Sequence, residues 1–244
     1  MEITPIAIAH NGFSEKFGIP RQSGCAPSVL TRIVFCPGFR SPEALRGIED
    51  WSHLWLIWGF SANSPAHSSM PLEGESDGAQ APHFSPTVRP PRLGGNTRMG
   101  VFATRSPFRP NGLGLSSVRL ERVEKTATEG LVLLVSGADL MDGTPIYDIK
   151  PYLPYTDIHP DATAGFTSDA GDYRLQVEWG KGTKKGLSSA LVRELTEILS
   201  EDPRPAYKDD GEQVYGITYA GWNIKFKVKD RHLIVLEVNN ISDN

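Results

Sequence analysis

Apolar positions in this chain come in short runs, broken by glycine, proline and small polar residues. Residues 3–9 (ITPIAIA) and 29–35 (VLTRIVF) read as strands. A polar loop at 15–24 separates them and carries Pro20, Arg21 and Gln22. Ser41, Pro42 and Gly47 have the order of an N-cap, a first helical residue and a terminator, which predicts a short helix over 41–47. Residues 51–60 (WSHLWLIWGF) are apolar on both alternating faces, predicting a strand buried on both sides in a core or a subunit interface. Residues 61–86 lack periodicity and are rich in Ser, Gly, Pro, Ala and Glu, so they read as a flexible excursion between strands. Four further strands are predicted at 100–103, 115–123, 131–137 and 145–149. No helix-length segment follows any of them until after residue 185, and parallel pairing needs long crossovers, so an antiparallel sheet or barrel is expected. Composition breaks near 157–161. Beyond it lie a strand at 173–179, an amphipathic helix at 188–200 with Leu191, Leu195 and Leu199 at helical spacing, and the alternating strand 223–229 (NIKFKVK). The expected architecture is mainly β: a compact antiparallel β-barrel over 1–157 and a small α+β domain over 158–244.

Composition narrows the setting. Hydrophobic residues make up 39% and charged residues 22% of the 244, ordinary values for a soluble globular protein. No run nears the roughly 18 apolar residues of a membrane span, and the first residues lack a secretory pattern. Two cysteines, Cys25 and Cys36, make no disulfide scaffold and fit a reducing cytoplasm. They cannot build a structural zinc site, and the histidines at 10, 53, 67, 83, 159 and 232 have no ligand spacing, so no metal is expected.

Charge points to a partner. The chain carries net −4, yet residues 78–120 contain no Asp or Glu and six arginines, Arg89, Arg92, Arg98, Arg105, Arg109 and Arg119. Exposed arginines on turns are the plain reading. Against it, Gly94, Gly95, Gly112 and Gly114 permit close backbone approach, and Phe102 and Phe108 offer stacking faces among the guanidinium groups. Cations interleaved with aromatics suit unpaired nucleobases and their phosphates. Asp139 and Asp142 end an apolar run, followed by Gly143, Thr144 and, further on, Lys150. They read either as a simple turn between strands or as carboxylates converging on a cleft, able to bind hydroxyls or accept a proton from an amine. His53 within an apolar strand reads as a hydrogen-bonded core residue. The GKGTKKG stretch at 180–186 fits no nucleotide-binding fingerprint and reads as a basic turn. Without a dinucleotide fingerprint, nucleophile elbow or metal cluster, an enzyme made of these parts would work by positioning two organic substrates. A non-catalytic RNA-binding barrel stays open on the same residues.

Several of these segments, EKFGIPRQ, SHLWLIWGF, TVRPPRLGGNTRMGVFATRSPFRPN, GLGLS, DLMDGTPIYDIKPYLPY and EDPRPAY, together resemble the TsaA-like family, also called TrmO. The resemblance implies a β-barrel methyltransferase without a Rossmann domain. It also implies S-adenosylmethionine as cofactor, and as substrate the anticodon loop of tRNA carrying threonylcarbamoyl-adenosine, with N6 as the methyl acceptor. A cytoplasmic homodimer with its cofactor site near the subunit boundary is implied too. Position by position, Pro20, Arg21, Gln22, Ser61, Ala62, Arg105, Leu115, Asp142, Gly143 and Thr144 match cofactor contacts. Ser61 departs from the histidine common there, and Asn111-Gly112-Leu113-Gly114 replaces the usual Asn-Pro-Ile-Gly. Asp139, Asp142 and Lys150 are the expected catalytic groups. Arg89, Arg92, Arg98, Phe108 and Arg109 are the expected RNA contacts.

Overall fold

The computed structural model describes residues 2–60, 85–90, 97–170, 173–204 and 211–243. Its strands and helices, in chain order, are β1 (Ala7–His10), β2 (Leu30–Phe35), β3 (His53–Gly59), β4 (Thr87–Val88), β5 (Met99–Gly100), β6 (Leu113–Thr126), β7 (Gly130–Ser136), β8 (Pro145–Pro151), α1 (Pro154–Asp157), β9 (Gln176–Trp179), α2 (Ser189–Ser200), β10 (Tyr215–Tyr219), β11 (Trp222–Lys229) and β12 (His232–Asn240). Six strands pair antiparallel in the order β1-β2-β7-β6-β3-β8, and β8 returns to β1, closing the ring into a barrel. Alternate residues of every strand face inward and fill it: Ala7 and Ala9, Ile33 and Phe35, Leu54, Leu56 and Trp58, Val118 and Leu120, Leu133 and Val135, and Ile146.

The apolar run in β3 is therefore not buried on both sides. Leu54 and Leu56 are fully buried and Trp58 is 7% exposed, while His53, Trp55 and Ile57 face outward and stay half-exposed. The outer face is covered in part by Tyr152, whose ring centre lies 5.5 Å from that of Trp55, and by Asp157, which accepts the Trp55 indole N–H at 2.7 Å. The helix predicted at 41–47 is a 3-10 turn over Pro42–Leu45, and the Ser41 side chain makes no cap. Strand character at 100–103 is confined to Met99–Gly100, because a 3-10 turn takes over at Val101–Ala103.

A second sheet has the order β10-β11-β12-β9, antiparallel except for the β12–β9 pair. β10 and β12 were not foreseen from the sequence. α2 packs Leu195, Ile198 and Leu199 into this unit, and its Ser188 N-cap accepts the Leu191 N–H at 3.1 Å. The core beneath is shared with the barrel half of the chain. Phe13, Ala26 and Val29, from the loop between β1 and β2, are buried in it, with Phe17 and Ile19 packed alongside. The Tyr219 ring packs tilted against Phe13 with centroids 4.8 Å apart, and the Ala220 N–H donates to the Gly12 carbonyl at 2.9 Å. A side chain at Gly12 would meet the Tyr219 ring at 2.7 Å, so glycine is required by this close approach. The Ser28 hydroxyl and N–H both donate to Glu197 of α2, at 2.6 and 2.7 Å.

Candidate functional site

Antiparallel alternation puts the end of β1, the start of β2, the end of β3, the start of β6, the end of β7 and the start of β8 at one mouth of the barrel. Three connections emerge there: residues 11–29, residues 60–112 and residues 137–144. The last links β7 to β8, which are not neighbours in the ring, so it must cross the mouth. Leu140, fully buried, plugs the barrel from within this crossing.

Asp139 sits at one side of the crossing. Its carboxylate accepts the Ser116 hydroxyl at 2.5 Å, and Ser116 in turn accepts the Trp58 indole N–H at 2.9 Å. The Ser23 backbone amide and the Arg105 guanidinium lie close enough to favour its charged form. Burial nevertheless prevails: it raises the Asp139 pKa above the usual carboxylate value, despite Ser116, Arg105 and Ser23. Arg105 itself donates from Nη1 to Gln22 Oε1 at 2.5 Å. The 20–22 loop, the arginine segment and the acidic turn, far apart in sequence, thus meet around one half-buried carboxylate. β6 comes close to β3 here because position 114 is glycine; any side chain there would strike the Trp58 ring at 2.3 Å.

Asp142 lies at the other side of the crossing and is exposed. Its Oδ1 accepts the Asn11 N–H at 3.1 Å and lies 3.2 Å from His10 Nδ1. Asn11 also donates to the Leu140 carbonyl at 2.9 Å, and Gly143 N–H donates to the Ala9 carbonyl at 2.9 Å, so β1 holds the turn in place. Thr144 is buried, its hydroxyl closing the turn onto the Met141 carbonyl at 2.7 Å. Lys150 is not part of this grouping. It lies five residues along β8 from Pro145, about 16 Å towards the opposite end, and is exposed beside Asp148 at 4.0 Å.

Pro20 is buried. The Arg21 Nη2 donates to the Asp202 and Arg204 carbonyls of the C-terminal unit, at 3.2 and 3.0 Å. Leu115 is 57% exposed on the outer face of β6, opposite the outward Ile57. Ser61, Ala62 and Arg92 lie outside the described residues. Arg89 is exposed; Arg98 donates to Thr87 Oγ1 at 2.8 Å, bracing the β4–β5 hairpin. Arg109 braces its own loop through the Thr104 carbonyl at 2.7 Å. Phe102 and Phe108 present 70% and 57% of their surfaces, so the aromatic faces in the arginine segment are open.

Sequence reasoning passed over His10, Ser23, Trp58 and Ser116 as site residues. His10 and Ser23 stand at the ends of motifs it did single out. Ser116 carried no signal, since a serine in an alternating strand reads as solvent-facing. Among the described residues no cluster of His, Cys, Asp or Glu is placed to hold a metal, and no helix is long and apolar enough to cross a membrane. The mouth offers a guanidinium, two carboxylates, one half-buried and one exposed, and open apolar faces: the means to hold an organic cation, bind an anionic strand and take up a proton.

Comparison with known proteins agrees in order and extent. Residues 8–158 match the family described as tRNA-methyltransferase O N-terminal domain, and residues 172–241 match the TrmO C-terminal domain. The chain is 40% identical over 235 residues to the tRNA (adenine(37)-N6)-methyltransferase of Escherichia coli (strain K12), covering 92% of each. It is 48% identical over 181 residues to the enzyme of that name from Eikenella corrodens, covering 73% of this chain and 92% of the relative. A crystal structure of TrmO from Pseudomonas aeruginosa superposes with a TM-score of 0.73 at 31% identity, covering 98% of this chain and 99% of that one. With both of its sequence halves matched in order and its fold shared end to end, the chain belongs to the tRNA-methyltransferase O family.

Proposed function

We propose that this protein transfers a methyl group from S-adenosylmethionine to N6 of threonylcarbamoyl-adenosine, the nucleoside just 3′ of the anticodon in tRNA, giving the N6-methylated product. The observation that carries the reading is the meeting of Gln22, Arg105, Ser116 and Asp139 at the barrel mouth. Three motifs spread over more than a hundred residues of sequence converge there around one carboxylate, beside a surface of open phenylalanines and arginines.

These residues suit the donor chemically. A guanidinium matches its carboxylate, neighbouring carboxylates match its cationic centre, and exposed Leu115 offers apolar contact to its purine. Pro20, Gln22, Arg105, Leu115, Asp142, Gly143 and Thr144 would hold it, with Ser61 and Ala62, and Arg21 would act by fixing the loop. When bound, S-adenosylmethionine supplies a methyl group already activated by its sulfonium. The protein's own work is then to align the acceptor and exclude water. The N6 lone pair is conjugated into the purine, so attack becomes easier as its proton is drawn off. Asp139, whose pKa burial raises above that of a solvated carboxylate, takes that proton. Asp142, tied to His10, is the second acceptor at hand. Arg89, Arg92, Arg98 and Phe108 grip the splayed anticodon loop; Arg109 shapes the loop that presents Phe108.

A homodimer acting in the cytoplasm completes the reading. Leu115 and Ile57 form an outward apolar pair at the mouth, so a cofactor contact at Leu115 extends the site onto a face that a second subunit would close. The test is direct. Purified protein is incubated with S-adenosylmethionine and tRNA bearing the threonylcarbamoyl group, and the digested nucleosides are weighed. A gain of one methyl on the modified adenosine supports the function. Methyl transfer equal on tRNA lacking that group removes the proposed substrate, and no transfer with S-adenosylmethionine still bound removes tRNA.

A further inference from the structure

Resting on the reading of residues 20–22 as cofactor loop, we propose that the turn at 202–204 in the C-terminal unit is a positioning element for that loop, so that affinity for S-adenosylmethionine is set from the second sheet.

The turn is held from several directions. Asp202 has φ of +51°, a left-handed backbone that a non-glycine residue keeps only where its surroundings impose it. Its carboxylate accepts Arg204 Nε at 2.8 Å and Nη2 at 2.9 Å, in the fork geometry that makes such pairs strong. The Tyr173 hydroxyl donates to the same carboxylate at 3.0 Å. Asp202 and Arg204 are both buried. Held in this way, the turn presents the carbonyls of Asp202 and Arg204 to one nitrogen of Arg21. The two residues after Arg21 are those that reach the barrel mouth: Gln22 accepts from Arg105, and the Ser23 backbone lies near enough to Asp139 to favour its charged form. The loop is thus tied on one side by the C-terminal unit and on the other by the barrel. Neither tie alone fixes where Gln22 and Ser23 lie.

The test uses the full chain. Arg204→Met removes the fork, and Tyr173→Phe removes one hydroxyl while sparing the packing. Calorimetry gives the dissociation constant for S-adenosylmethionine, filter binding gives that for tRNA, and turnover gives KM and kcat. Arg204→Met weakens S-adenosylmethionine binding about tenfold or more, the scale of a lost charge-assisted hydrogen bond. Tyr173→Phe weakens it by a smaller factor. In both, KM for S-adenosylmethionine rises, kcat stays near the parent value and tRNA affinity is kept. Combining Arg21→Ala with Arg204→Met adds little to the larger single loss, because both act through one contact. Lys225→Met, on an exposed ion pair of the same sheet, leaves S-adenosylmethionine affinity as it was. Parent-like affinity in Arg204→Met and Tyr173→Phe, with Gln22→Ala impaired, overturns the positioning role while leaving the cofactor loop intact. Unchanged affinity in Gln22→Ala and Arg105→Ala takes down the cofactor reading itself. Should Arg204→Met fail to fold, Tyr173→Phe decides, and equal losses of S-adenosylmethionine and tRNA affinity there mark general loosening and refute the proposal.

Discussion

At Asp139 a carboxylate is kept half-buried against Ser116, Arg105 and the Ser23 N–H, and burial raises its pKa despite them. A folded-state value above the unfolded one adds stability at pH below the unfolded pKa, and that contribution is lost as pH rises through the folded value. Asp139→Asn removes this dependence, so the stability of the variant gains on the parent as pH climbs out of the ordinary carboxylate range, read by thermal melts across pH. Its kcat falls about 10²-fold or more, the range of a lost general base, while S-adenosylmethionine affinity changes little. The acidic limb of the rate profile disappears with it. Retained kcat would shift the proton-accepting role to Asp142 and His10. Residues of this kind differ in how openly the sequence shows them. Asp139 and Asp142 drew notice because acids at the end of an apolar run are unusual. Trp58 and Ser116 did not, because which face of a strand turns inward depends on how the ring closes. Lys150 stands apart from them, exposed at the far end of β8 beside Asp148.

Among the elements, the strands were legible where alternation was strong and the termini were not. β2, β6, β7, β8 and β11 follow the runs read from the sequence, since hydrophobic periodicity records burial directly. β10 and β12 escaped because their short polar interruptions masked the period, and within one chain the apolar run in β3 is buried on its inner face alone, with Trp55 and Ile57 half-exposed. The least legible element is the connection between β1 and β2. Its composition says loop, yet Phe13, Ala26 and Val29 are buried in the second core. Phe13→Ala costs about 3–5 kcal/mol, the usual penalty for emptying a buried aromatic site. Calorimetric melting of the full chain should show that loss in the transition of the C-terminal sheet, although residue 13 belongs by sequence to the barrel half. A shift confined to a separate barrel transition would contradict the shared core.

Over the whole molecule, an acidic chain has one connection, at one end of a barrel, that carries arginines and no acids from residue 78 onward. On the proposed function, exposed Arg89 and the open rings of Phe102 and Phe108 would seat the tRNA strand. Arg89→Ala lowers the slope of log affinity for tRNA against log salt by about 1 and leaves S-adenosylmethionine binding unaltered. Arg109→Ala, by contrast, also frees the Thr104 carbonyl and so changes the loop that carries Phe108. Salt-independent loss in Arg89→Ala would move the strand elsewhere. The seating of residues 11–29 in the C-terminal core also bears on how the protein is made. During synthesis the barrel strands leave the ribosome before β10, β11 and β12, which cover Phe13 and Val29. A chain that has completed its six barrel strands but not β10, β11 and β12 therefore holds a closed ring whose 11–29 connection still lacks the core it packs into.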